Sequence, residues 1–153
     1  MIDNSNNTIW FLHADVKLDL SGFIKGYVLR AIRRMIFEEN IHNGLINMGN
    51  SSVLAIGNHP HGQGWKVSIS GNEHGNEYVL FNQCLTTSGN KEQTKWPIKK
   101  PQTLKEIVSA TSLSVITDDP AVGEVLSIAL YIANKIDKQL ILKQFDESVK
   151  LII

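Results

Sequence analysis

The order of apolar and polar positions divides the chain into short alternating stretches and two longer helical ones. Residues 8–13 (TIWFLH) are rich in β-formers. Val16, Leu18 and Leu20 alternate with Lys17 and Asp19, the period of a half-buried strand, so this region predicts a hairpin turning near Ala14-Asp15. Residues 22–40 read as a helix with Ser21 as its N-cap, because a serine hydroxyl can accept an otherwise unpaired N–H of the first turn. Ile24, Tyr27, Val28, Ala31, Ile32 and Met35 recur at spacings of three and four, which predicts that this stripe lies on a sheet. Strands are predicted at residues 45–48, 52–56, 65–69, 78–82, 84–87 and 111–117. Turn formers separate them, notably the loop from Gly57 to Gly64 and the segment from Gly71 to Gly75. Residues 90–105 carry five lysines and two prolines without periodicity and read as an exposed loop. A second helix begins at Pro120, capped by Asp118 or Asp119, with Ala121, Val125, Ile128, Ala129 and Ile132 as its buried stripe. The apolar runs of residues 140–153 return to the sheet. This order predicts one α+β domain over residues 1–153, a mixed or antiparallel sheet with helices packed on one face.

Composition narrows the function classes. The 153 residues carry 15 basic and 15 acidic side chains, and 42% of them are apolar. The apolar content suits one good core and excludes a disordered chain. Zero formal charge argues against a nucleic-acid partner, since polyanion binding draws on clustered Lys and Arg. No run approaches the roughly 18 apolar residues of a membrane span, and the first residues do not read as a signal peptide. With one cysteine, Cys84, there is no intrachain disulfide. A cytoplasmic location is the expectation.

Spacing alone yields no complete catalytic constellation, and the catalytic residues are unassigned. His59 and His61 lack a third ligand nearby and read as a solvated loop rather than a metal site. Gly49-Asn50-Ser51-Ser52 follows a strand and precedes another, so it reads as a hairpin turn rather than a phosphate loop at a helix N-terminus. Thr86-Thr87-Ser88-Gly89 ends a strand with three hydroxyls, either an ordinary turn or a place for a phosphate. Lys25, one turn into the first helix, reads as a surface lysine or an anion ligand. Glu124 alone does not make a metal site.

The order of these pieces is more telling than any one of them. The run from Leu18 to Tyr27 (LDLSGFIKGY) resembles the LDLGGIAKGY segment of the ApbE family, the FAD:protein FMN transferases. Residues 46–57 (INMGNSSVLAIG) resemble the family's VNLGGDIRVLG with one residue more, and residues 64–69 (GWKVSI) resemble PWRVGI. Thr86-Thr87-Ser88-Gly89 stands where the family has ATSG, and residues 120–130 resemble AMLADALSTAL. The resemblance covers roughly residues 16–135. It implies an ApbE-like, T-fold-like domain that lacks the family's N-terminal portion. It also implies FAD as the flavin nucleotide bound, magnesium as the metal, and an acceptor protein whose Thr or Ser receives FMN. By the same resemblance Lys25, Asn47, Gly49, Asn50, Thr87, Ser88 and Gly89 would bind flavin nucleotide. Thr86, through its carbonyl, and Glu124 would hold metal.

This chain departs from the family pattern at several of these positions. The family's metal-binding threonine is Ile128 here, and its aspartate is the longer Glu124. The HIIDP segment aligns with Pro97-Ile98-Lys99-Lys100-Pro101, and GGD has become Gly49-Asn50-Ser51. These departures predict a transferase degenerate in its metal and HIIDP motifs. The alternative is a non-catalytic flavin-binding or protein-interaction module on the same fold. A homodimer or a partner chain would complete the pocket.

Overall fold

The computed structural model describes residues 1–69, 77–89, 98–109, 111–145 and 149–152. Its elements in chain order are β1 (Ile2–Asp3), β2 (Thr8–Ile9), α1 (Ile24–Glu38), β3 (Gly44–Met48), β4 (Ser52–Ile56) and β5 (Trp65–Ser68). There follow β6 (Glu77–Leu80), β7 (Cys84–Gly89), β8 (Ser112–Thr117), α2 (Pro120–Ile132), α3 (Lys135–Leu142) and β9 (Lys150–Ile152). Strands β3, β4, β7, β8 and β9 form one sheet in the order β3-β4-β7-β8-β9, and every pairing is antiparallel. β1–β2 and β5–β6 are separate two-stranded ribbons.

The two faces of the sheet follow from the period-two alternation of side chains. Leu54, Ile56 and Cys84 pack with Leu29 of α1 on one face, and Leu113 and Val115 pack with Leu126 and Leu130 of α2. Ala55, Leu85 and Ile116 lie in a second cluster with Leu80, Trp65 and Val67 of the β5–β6 ribbon. The α+β class with helices on one face is therefore the observed architecture. The loop from Gly57 to Gly64 closes on the second cluster, where the His59 ring stands edge-on to Trp65 at 5.0 Å.

Several expectations are corrected. Residues 16–20 form no strand and are exposed, and the hairpin is the short β1–β2 pair rather than a turn at Ala14-Asp15. Ser21 does not cap α1. Its N–H instead donates to Asp19 Oδ1 at 2.8 Å, and Phe23 stands at the cap position without a side-chain bond. The stripe of α1 meets the core only in part: Val28 and Ile32 are half-buried, but Ile24, Tyr27 and Met35 are 44%, 51% and 63% exposed, while Gly26 and Leu29 are buried. The reason is steric. A glycine at position 26 lets α1 come nearest to α2, and that contact fixes which face points inward. In α2, Val125 is likewise exposed, and the buried positions are Pro120, Ala121, Gly123, Glu124, Leu126, Ser127 and Leu130. Helix α3 was not foreseen; Asn134 starts it by accepting from the N–H groups of Ile136 and Asp137, both at 2.9 Å. Part of the loop predicted over residues 90–105, and the segment around Gly71 to Gly75, lie outside the described residues.

Much apolar surface remains outside. Trp10, Phe11, Leu12, Val16, Leu18 and Leu20 join the α1 stripe among the exposed hydrophobics. Among the described residues, no helix is long and apolar enough to cross a membrane.

Asp119 sets the start of α2. Its Oδ1 accepts from Ala121 N at 2.9 Å, with Pro120 in the first turn where a missing N–H costs nothing. Arg30 of α1 reaches the same carboxylate, its Nη2 lying 2.7 Å from Oδ2. Asp119→Ala is expected to cost about 1 kcal/mol, mostly through the cap, because so exposed an ion pair contributes little. Urea denaturation with an unchanged m-value would register it.

Candidate functional site

The N-terminal end of α1, the start of β4, the end of β7 and the middle of α2 meet on the helix-covered face of the sheet. Glu124 is placed there because α2 crosses over β7 and β8 with its glycine inward. A Cβ at Gly123 would lie 2.7 Å from Thr117 Oγ1 and 2.9 Å from Thr86 Oγ1. The facing glycine on α1 completes the approach. A Cβ at Gly26 would meet the Pro120 carbonyl oxygen at 2.3 Å, Glu124 Cγ at 2.6 Å and Ala121 Cα at 2.8 Å. Two absent side chains thus make room for one carboxylate between a helix pair and a sheet.

Glu124 is 3% exposed and is satisfied from two sides. The buried Ser52 hydroxyl donates to its Oε1, and the Lys25 ammonium lies 3.9 Å from its Oε2. Lys25 also donates to Ser51 Oγ at 2.5 Å, and its side chain is 36% exposed, so the ammonium stands at the boundary between the buried carboxylate and solvent. On the other side of Glu124, Ser127 Oγ donates to the Glu124 carbonyl at 3.0 Å and lies 2.7 Å from Ser88 Oγ. The cluster is a short polar line, Lys25–Ser51 and Lys25–Glu124–Ser52, beside a second pair, Ser88–Ser127.

Strand alternation separates the hydroxyls of the Thr86–Gly89 run. Thr86 and Ser88 face the helices, whereas Thr87 faces the other way, its Oγ1 2.7 Å from Ser114 Oγ. Thr86 is wholly buried, paired with Ser52 of β4 and Val115 of β8. Gly89 is where β7 and β8 touch, since a Cβ there would meet Ser112 Cα at 2.6 Å. Asn47, Gly49 and Asn50 form the exposed turn between β3 and β4. Gly49 and Asn50 have φ of +65° and +56°, and the Asn47 side chain accepts from Asn50 N at 2.9 Å. This turn ends at Ser51, which places it beside Lys25. Lys25, Ser88 and Glu124 are therefore gathered, with the Asn47–Asn50 turn at the rim and the Thr87 hydroxyl on the opposite face.

Ile128 stands one helical turn beyond Glu124. A Cβ at Gly22 would lie 2.7 Å from Ile128 Cδ1, so the isoleucine fills the space above the segment leading into α1. Cys84 lies two residues before Thr86, its Sγ 3.6 Å from Thr86 Oγ1. Burial, with the negative charges of Glu124 and Asp119 adding to it, pushes the thiol up to about 11, so it stays protonated and unreactive at neutral pH. Two members of the cluster, Ser52 and Ser127, escape a reading of the sequence. The signals were present: Ser52 shares the parity of Leu54 and Ile56 on a core-facing strand, and Ser127 sits three positions after Glu124.

The ApbE family pattern matches residues 1–153. The chain belongs to the ApbE family. A curated relative, the FAD:protein FMN transferase of Chlamydia muridarum, is 28% identical over 99 residues, which cover 65% of this chain and 30% of that protein. Among solved structures, the ApbE protein of Thermotoga maritima superposes with a TM-score of 0.80 at 22% identity, covering 99% of this chain and 52% of that one. A mutant of the flavin transferase ApbE from Vibrio cholerae gives 0.79 at 16% identity, covering 96% and 53%. The ApbE fold is thus shared with these proteins, and the chain spans about half the length of those solved relatives.

Proposed function

We propose that this ApbE chain binds a flavin nucleotide, with FAD as the ligand, and that metal-assisted transfer of FMN to an acceptor hydroxyl has been lost. One observation carries this reading: Lys25, Ser51 and Glu124 are assembled on the helix-covered face of the sheet, while Ile128 closes the adjoining space with a methyl group where the family has a hydroxyl. The ammonium at the boundary would meet a phosphate, and the exposed Asn47–Asn50 turn would line the flavin edge through backbone and amide groups.

Magnesium does not fit the donor set. It needs near-octahedral oxygen ligation at about 2.0–2.1 Å. Glu124 is the acidic side chain at the site, and its oxygens face a hydroxyl and an ammonium. Ile128 supplies no oxygen, and among the described residues no group of three His, Cys, Asp or Glu side chains gathers. The site therefore lacks the ligand set for the metal that transfer needs, and the chain's own residues bind and orient the nucleotide without cleaving it.

Titration of FAD, followed by quenching of flavin fluorescence, is expected to show micromolar binding. Incubation with FAD, magnesium and an acceptor protein of the flavin transferases is expected to leave the acceptor mass unchanged. No binding at millimolar FAD would sink the flavin reading. A covalent FMN adduct on the acceptor would instead establish an active transferase.

A further inference from the structure

We infer that the Lys25 ammonium is the resident cation of this site: the chain takes the phosphates of its ligand directly on Lys25 and binds a pyrophosphate-bearing nucleotide without a divalent metal. The inference deepens the flavin-nucleotide reading and rests on it for the identity of the ligand, while the cation assignment rests on the residues themselves.

Three observations combine. First, the position of the charge is fixed rather than free. Lys25 Nζ is held from one side by Ser51 Oγ at 2.5 Å and from another by Glu124 Oε2 at 3.9 Å. An ammonium has three N–H donors. The Ser51 bond uses one of them, and the 3.9 Å ion pair is too long to be a hydrogen bond, so a side chain 36% exposed leaves the other two a path to solvent and ligand. Second, the carboxylate is committed. Glu124 is 3% exposed, Ser52 is wholly buried, and the Ser52 hydroxyl donates to Oε1. A divalent ion seeking Glu124 meets a cation already facing Oε2, and at Oε1 it would have to displace a buried hydroxyl bond. Third, the anchor cannot swing away. Gly26, next to Lys25, is wedged against the Pro120 carbonyl and Glu124 Cγ, so the backbone carrying Lys25 is locked to the helix carrying Glu124. Glutamate, longer than aspartate by one methylene, spans the gap that Gly26 leaves and reaches the β4 serine. Ser52 is thus a positioning residue: it holds Glu124, and Glu124 holds Lys25.

A buried carboxylate, an ammonium and a hydroxyl form a self-neutralised unit whose outer face presents ammonium N–H donors. Such a face suits a phosphate oxygen, which gains a charge-assisted hydrogen bond from a group already oriented. It does not suit a metal ion, which would be placed against a like charge.

The test compares the intact chain in EDTA and in millimolar magnesium chloride, with FAD and inorganic pyrophosphate as probes and calorimetry as the readout. A separate titration with manganese alone is followed by electron paramagnetic resonance. The expected result is that affinity for either probe changes by less than about twofold between the buffers. Lys25→Met is expected to weaken both probes by about tenfold or more, the worth of one hydrogen bond to a charged group. Manganese is expected to show no site that Glu124→Gln removes. Affinity that rises about tenfold with magnesium, or a manganese site lost in Glu124→Gln, overturns the inference, and the first of these needs no variant to fold. Pyrophosphate binding without FAD binding overturns the flavin reading and leaves the cation assignment standing. Failure of both probes in both buffers overturns the two together.

Discussion

Gly26→Ala is expected to be strongly destabilising for a change that adds a single methyl. The added carbon would lie 2.3 Å from the Pro120 carbonyl oxygen and 2.8 Å from Ala121 Cα, both backbone atoms that no rotamer change can move. Alanine favours a helix interior over glycine by about 1 kcal/mol, so propensity alone argues for stabilisation. The clash opposes it, since overpacking costs about 1–3 kcal/mol and more where backbone must shift. Here the helices themselves must part, and the net cost is expected at about 2–3 kcal/mol, or roughly 4–12 °C in the melting midpoint. Gly62→Ala is the control, because a Cβ at Gly62 meets nothing within 4 Å. Calorimetry that finds Gly26→Ala as stable as the starting chain would refute the close α1–α2 approach.

The second large effect belongs to the pair Ser52 and Glu124. Glu124→Ala is expected to cost about 3 kcal/mol, because it strands the buried Ser52 hydroxyl, removes the partner of Lys25 and opens a cavity. Ser52→Ala is expected to cost about 1.5–3 kcal/mol, the usual worth of a hydrogen bond to a charged group. Made together, the two changes are expected to cost less than the sum of the single ones, since residues in one hydrogen-bonded network do not add. A urea double-mutant cycle reads that coupling directly. A coupling near zero would mean that Ser52 does not hold the carboxylate.

The strands were legible in the sequence because each is short and bounded by turn formers, as with Leu54 and Ile56 before Gly57. The packing face of α1 was not. Hydrophobic spacing pointed to Ile24, Tyr27 and Met35, and nothing local to the helix says that a glycine, by admitting a neighbouring backbone, outweighs an apolar stripe. Residues 16–20 failed for a related reason, since alternation predicts a strand only where an edge is there to pair with it. At the site, Lys25 and Glu124 were found through the order of family-like segments rather than through their own spacing. Ser52 was missed because one hydroxyl on a core-facing strand looks like a tolerated polar residue until its partner, 72 positions away, is known. The three hydroxyls of Thr86–Ser88 read as one group in the sequence, and it is the period-two geometry of β7 that turns Thr87 to the opposite face.

The extent of outer surface has a calorimetric consequence. The heat capacity of unfolding scales with the apolar area newly wetted, and Trp10, Phe11, Leu12, Tyr27 and Met35 are already largely wet in the folded chain. They add little to that heat capacity, which is expected to fall below the usual value of about 12–15 cal/mol/K per residue. The stability curve of the isolated chain is correspondingly shallow, changing little with temperature on either side of its maximum. Anything that covered Trp10, Phe11 and the outer face of α1 would announce itself as a negative heat-capacity change on association.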